Sequence, residues 1–159
     1  MNTQFKAARA ENYRVSDRSA ADIRYLVIHF TANDGDTAKN NADYFAREAP
    51  GVSAHFFVDE KEIWQSVREK DIAWHCGTRG MYFHPYCRNA NSLGIELCSR
   101  KQGEKYYFTP ETVKNARNFV RFLMKKYDIP LANVVRHYDV THKNCPAPFV
   151  KDSFCVIIQ

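Results

Sequence analysis

Two histidines, a lysine and a cysteine fall between Arg136 and Cys145 of RHYDVTHKNCPAPF (136–149), a segment closed by prolines. Such a cluster could be a metal site, a thiol active site or a polar turn. A second histidine-bearing stretch, YLVIHF (25–30), places His29 near the end of an apolar run. A buried imidazole needs a partner, because stranding its nitrogens costs about 1–3 kcal/mol. For His29 alone, a hydrogen bond to backbone would suffice. His137 occupies an equivalent place in VVRHYDV, and two neighbouring strands can aim both rings into one pocket. Cys145 follows after a turn long enough to bring the chain back. Zinc accepts two imidazoles and one thiolate and keeps a fourth position for water, which is a catalytic rather than a structural arrangement. No CxxC or HExxH signature is present, so the spacing alone leaves the three chemistries open.

The elements that must position these groups follow from periodicity. RYLVIHFTA (24–32) is a nearly unbroken apolar run, as suits a strand buried on both faces. DTAKNNADYFAREAP (36–50) predicts a helix capped by Asp36 or Thr37 and closed by Pro50 and Gly51. SAHFFVDEKEIWQSVRE (53–69) predicts a hairpin, with His55 supporting the core. DIAWHCGTRGMYFHPYCRNA (71–90) is a long irregular stretch of the kind that is functional rather than filler, with His84 at the surface. NSLGIELCS (91–99) predicts another buried strand and makes Cys98 a buried thiol. In TPETVKNARNFVRFLMKKYDIP (109–130), Thr109 caps a helix with Pro110 at its first position. Val113, Ala116, Phe119, Val120, Leu123, Met124 and Tyr127 recur there at helical spacing. NVVRHYDVT (133–141) predicts a last strand. Alternating strands and helices give an α/β class, a central mixed β-sheet flanked by helices.

At 159 residues the chain is expected to form a single domain with its motif core at about 24–150. Hydrophobic residues make up 45% and charged residues 26%, the balance of a soluble globular protein. No apolar run approaches the roughly 20 residues that span a bilayer. The N-terminus lacks the apolar stretch of a secretory signal, so synthesis in the cytoplasm is expected. The net charge of +5 is scattered and forms no stripe, which argues against nucleic acid or a membrane as partner. Five cysteines with no CxxC pair argue against a disulfide framework.

Taken in order, LVIHFTA, VSAHFFVDE, AWHCG, NSLGIELC and RHYDVTHKNCPAPF resemble the motif series of zinc-dependent N-acetylmuramoyl-L-alanine amidases. These include phage endolysins and relatives of the peptidoglycan recognition proteins. The resemblance runs from about Tyr25 to Phe149 and implies that family's fold. It implies zinc held by His29, His137 and Cys145, Glu96 as the acid–base carboxylate, and Lys143 as the cation facing the reacting carbonyl. It also implies bacterial peptidoglycan as partner, reached after release or export, and a monomer is expected. Glu96 interrupts an apolar strand and needs a charge partner, which a zinc ion and a lysine would supply better than a structural arginine. A thiolate lowers the charge of the metal–ligand unit, which makes Lys143 more useful. Trp74 and His75 fit a substrate-facing loop, with core packing the alternative for Trp74. Several members of the family carry a catalytic tyrosine where this chain has Ala54, so that part falls to Glu96 or is absent. His142, where many members have glycine, is expected to be an exposed turn residue.

Overall fold

The computed structural model describes residues 2–151; Cys155 and the CVIIQ ending lie outside them. The chain runs β1 (Gln4–Phe5), β2 (Tyr13–Arg14), β3 (Tyr25–Phe30), α1 (Ala38–Arg47), β4 (Phe56–Val58), β5 (Ile63–Gln65) and β6 (Ile72–Ala73). It continues through β7 (Ser92–Leu97), β8 (Arg100–Gln102), β9 (Lys105–Tyr107), α2 (Pro110–Tyr127), β10 (Val134–Arg136) and α3 (His137–Thr141). Six strands make one mixed sheet in the order β1-β5-β4-β7-β3-β10. Only the β4–β5 hairpin is antiparallel within it. The mixed sheet and its flanking helices are therefore as expected from the alternation of elements.

Period-two alternation sorts each central strand between two faces. Leu26 and Ile28 of β3, Leu93, Ile95 and Leu97 of β7, and Phe56 and Val58 of β4 pack with Ala116, Phe119, Val120 and Leu123 of α2. The opposite face carries Val27, Val135 and Phe57 in separate, smaller apolar clusters. That second face is where polar residues interrupt the pattern. α2 begins as expected, with the Thr109 hydroxyl accepting the Thr112 N–H and Pro110 in the first turn. It ends at Asp128 in the left-handed region (φ 52°), two residues before Pro130. α1 is capped by Thr37. Asp59 joins it to the hairpin, accepting N–H bonds from Ala38, Lys61 and Glu62.

The last strand is shorter than the sequence suggests. Pairing stops at Arg136, and His137 opens α3 instead of continuing β10. The reason is local: the Asp139 carboxylate accepts the Arg136 backbone N–H at 2.8 Å and its Nε–H at 3.0 Å, which starts a helical turn. The irregular stretch 71–90 contains β6, paired antiparallel with β2, before it loops out. Arg18 ties its two ends together, donating to the carbonyl of Glu69 before it and to those of Asn89, Ala90 and Ser92 at its far end. His55 supports the core as expected: its Nδ1 accepts the Gly94 N–H at 3.0 Å and its Nε2 faces the Asp71 carbonyl at 3.1 Å. Among the described residues no helix is long and apolar enough to cross a membrane.

Candidate metal centre

Register places the reactive groups together. His29 is the Cα partner of Glu96 across β3 and β7, and Glu96 is the partner of Phe57 across β7 and β4. On the other side of β3, β10 pairs through Arg136 with Ile28, so His137 emerges beside His29. Partners in parallel strands share a face, which aligns Glu96, His29 and His137 at the carboxyl ends of three neighbouring strands. In open α/β sheets this is where ligands bind. α3 and the turn after it return the chain: His142 adopts φ 59°, and the Tyr138 N–H donates to the Cys145 carbonyl at 2.8 Å.

Ligand atoms of His29, His137 and Cys145 all lie within 4.8 Å of one another, and all three residues are buried. Cys145 Sγ is 3.7 Å from His29 Nδ1. The His29 and His137 rings meet edge to face with centroids 4.8 Å apart. Both ring nitrogens of His137 are buried, and neither makes a hydrogen bond of normal length and angle. An orphaned buried imidazole is costly, and a metal ion is the partner that these three donors would share.

Burial sets the charge state. It holds His29 well below the usual histidine range, with His137, His75 and Lys143 acting the same way. Burial and Lys143 bring His137 down to about 4, opposed by the Gly77 backbone. Both rings thus keep free electron pairs at neutral pH. Burial, then Glu96, pushes the Cys145 thiol up to about 12. A thiol held protonated this firmly makes a poor nucleophile, since the thiolate is the reactive form. A bound divalent cation would reverse that shift. The donor set, two neutral imidazoles and a thiol that only a cation would ionise, fits zinc.

Glu96 sits at the pocket floor with its Oε2 buried and unpartnered. Burial raises its carboxyl to about 8, opposed by Lys143 and reinforced by Asp36. The cleft above has a volume of about 1080 Å³ and is lined by His29, Glu96, His137, Lys143 and Cys145 among others. Trp74 and His75 line it too, but differently. Trp74 is half-buried in the wall. His75 is buried behind His29, with Nδ1 3.0 Å from His29 Nε2 and Nε2 3.1 Å from Ser92 Oγ. Both its nitrogens are engaged inward, so the substrate-facing position expected for His75 is not the one the fold gives it. His142 is an exposed turn residue, as expected, stacked on Phe83 at 3.4 Å. His84 is more than a surface residue: its Nδ1 accepts N–H bonds from Tyr86 and Cys87. Cys98 is buried as expected, and Cys76 and Cys87 are buried free thiols.

Ser92 and Gly94 are the contributors that sequence reasoning missed. A Cβ at Gly94 would lie 2.6 Å from His75 Cγ, so only glycine admits the ring there. The available signal was that glycine itself, isolated inside an apolar strand, which marks close approach by another group.

The mixed sheet thus brings to its strand ends a buried His–His–Cys set that could hold a metal ion, with a buried carboxyl oxygen beside it. The chain belongs to the N-acetylmuramoyl-L-alanine amidase family, which it matches over residues 19–148. It is 38% identical over 141 residues to the N-acetylmuramoyl-L-alanine amidase CwlL of Bacillus licheniformis, covering 84% of this chain and 38% of that protein. It is 36% identical over 143 residues to the amidase BlyA of Bacillus subtilis (strain 168), covering 82% and 38%. The chain therefore spans less than half the length of these relatives. Among solved structures, the catalytic domain of XlyA superposes with a TM-score of 0.79 at 28% identity, covering 99% of this chain and 97% of that one. The PlyG catalytic domain gives 0.72 at 31% identity, covering 92% and 84%.

Proposed function

We propose that the chain is a zinc-dependent amidase unit that hydrolyses the amide joining the lactyl group of N-acetylmuramic acid to L-alanine in bacterial peptidoglycan. It acts on the wall after release or export. The observation that carries this reading is the buried His29–His137–Cys145 set beside an unpartnered Glu96 carboxyl. When bound there, zinc supplies Lewis acidity, polarising the scissile carbonyl and acidifying water to near neutral pH. Glu96 takes the proton of the attacking water and passes it to the leaving amine, a task suited to a carboxyl lifted towards working pH. Lys143, exposed at the cleft, donates to the oxygen on which negative charge develops. Trp74 offers an apolar wall to the sugar–peptide substrate.

Digestion of purified peptidoglycan with and without a chelator tests this. New alanine amines without new reducing sugars, abolished by chelation, are expected. Reducing ends would mean a glycosidase, and no product a wall-binding module of the same fold. Activity that survives chelation would mean a cysteine hydrolase, which the raised thiol pKa disfavours. Lys143→Ala is expected to retain zinc while losing about 10²–10³-fold in turnover. Loss of the metal in that variant, read by elemental analysis, would overturn the role given to Lys143.

A further inference from the structure

The hydrogen bonds behind His29 form a chain whose direction is set at its far end. Ser92 Oγ lies 2.7 Å from the Arg88 carbonyl, and a carbonyl oxygen cannot donate. The single hydroxyl proton of Ser92 therefore points at Arg88, and Ser92 Oγ accepts from His75 Nε2–H at 3.1 Å. A neutral imidazole carries one N–H, so His75 Nδ1 is bare and accepts from His29 Nε2–H at 3.0 Å. His29 Nδ1 is then left with its lone pair, facing Cys145 Sγ.

We infer that Ser92 and His75 are positioning residues, a proton-ordered relay that fixes His29 in the tautomer able to bind metal through Nδ1. This rests on the metal reading proposed above and deepens it. Metal-bound histidines commonly hold their second nitrogen against a hydrogen-bond partner. Here that partner is another imidazole, whose own tautomer is dictated by a serine 17 positions further along the chain. The frame is rigid where this matters. Arg18 holds the carbonyls of Asn89, Ala90 and Ser92. Asn89 Oδ1 accepts the backbone N–H groups of His75 and Cys76 at 3.0 and 2.8 Å. Gly94 leaves the space that the His75 ring fills. Both rings are buried, and burial disfavours a second proton on either.

The test uses metal-free protein with ¹⁵N-labelled histidine, whose ring-nitrogen shifts report the tautomers. In the unaltered chain, His29 and His75 are both expected to carry the proton on Nε2. Ser92→Ala frees His75 to reverse. It is expected to raise a population of His29 protonated on Nδ1 and to weaken zinc binding about 10–100-fold against a competing chelator. An Nδ1–H tautomer of His29 in the unaltered protein would overturn the relay whether or not the variant folds. So would weakened zinc binding in Ser92→Ala with both tautomers unchanged, since that outcome reports only structural damage. If the unaltered chain shows the expected tautomers but takes up no zinc, the metal reading fails and the proton order stands.

Discussion

Glu96→Gln is expected to keep its metal and to lose about 10²–10⁴-fold in amide hydrolysis, the range of general acid–base catalysis. Gln fills the same space at the strand end and cannot accept and return the proton. The same substitution should change stability in the opposite direction. Burial lifts the Glu96 carboxyl to about 8, above an ordinary value of 4.5, so the folded chain binds this proton more tightly than the unfolded chain does. Its contribution is favourable at low pH and is lost as pH rises from about 4.5 through 8. Above that range the native carboxylate is charged with Oε2 unpartnered. Metal-free Glu96→Gln should therefore resist urea better than the unaltered chain at pH 9. A variant that is equally active, or inactive because it has lost its metal, would remove Glu96 from the proton-transfer role.

The second large effect concerns acid. Burial depresses His29 and His75 well below 6.5, His137 to about 4 and His55 to about 3, where Arg18 adds to the depression. For each, the folded value lies below the unfolded one. The unfolded chain therefore takes up protons that the native chain refuses, and stability falls as pH drops below 6.5. Each such histidine costs about 1.4 kcal/mol per pH unit in that window. Glu96 opposes them with one proton, regaining stability as pH falls from 8 to 4.5. Four histidines outweigh one carboxyl below 6.5, and a domain has only about 5–15 kcal/mol to lose. Metal-free protein should thus unfold at much lower urea at pH 5 than at pH 7. Bound zinc should shift the loss to lower pH, because ligation excludes the protons. A flat profile between pH 7 and 5 without metal would mean that these rings are not buried as neutral groups.

Much of the scaffold was legible because one kind of signal governs it. The apolar runs of β3 and β7 are buried on both faces, and the stripe Ala116, Phe119, Val120, Leu123 is the buried face of α2. Thr37 and Thr109 both cap where their spacing suggests. His137 was harder. Its neighbours Val134 and Val135 are strand formers, and the helical turn that starts at His137 depends on a side chain, Asp139, reaching back to Arg136. Misreading the element did not hide the site, because β10 still delivers His137 next to His29. The inward-facing role of His75 was illegible for a different reason. It depends on a loop being folded over Gly94 by Arg18 and Asn89, contacts between residues 13 to 74 positions apart. Local pattern carries no such information.

The central claim is that His29, His137 and Cys145 hold one zinc ion. X-ray absorption at the zinc edge, with elemental analysis of chelated and reloaded protein, tests it most directly. One zinc per chain in a shell of two nitrogens and one sulfur is predicted, with sulfur lost in Cys145→Ser. A zinc shell without sulfur, or protein that takes up no stoichiometric zinc, would contradict it.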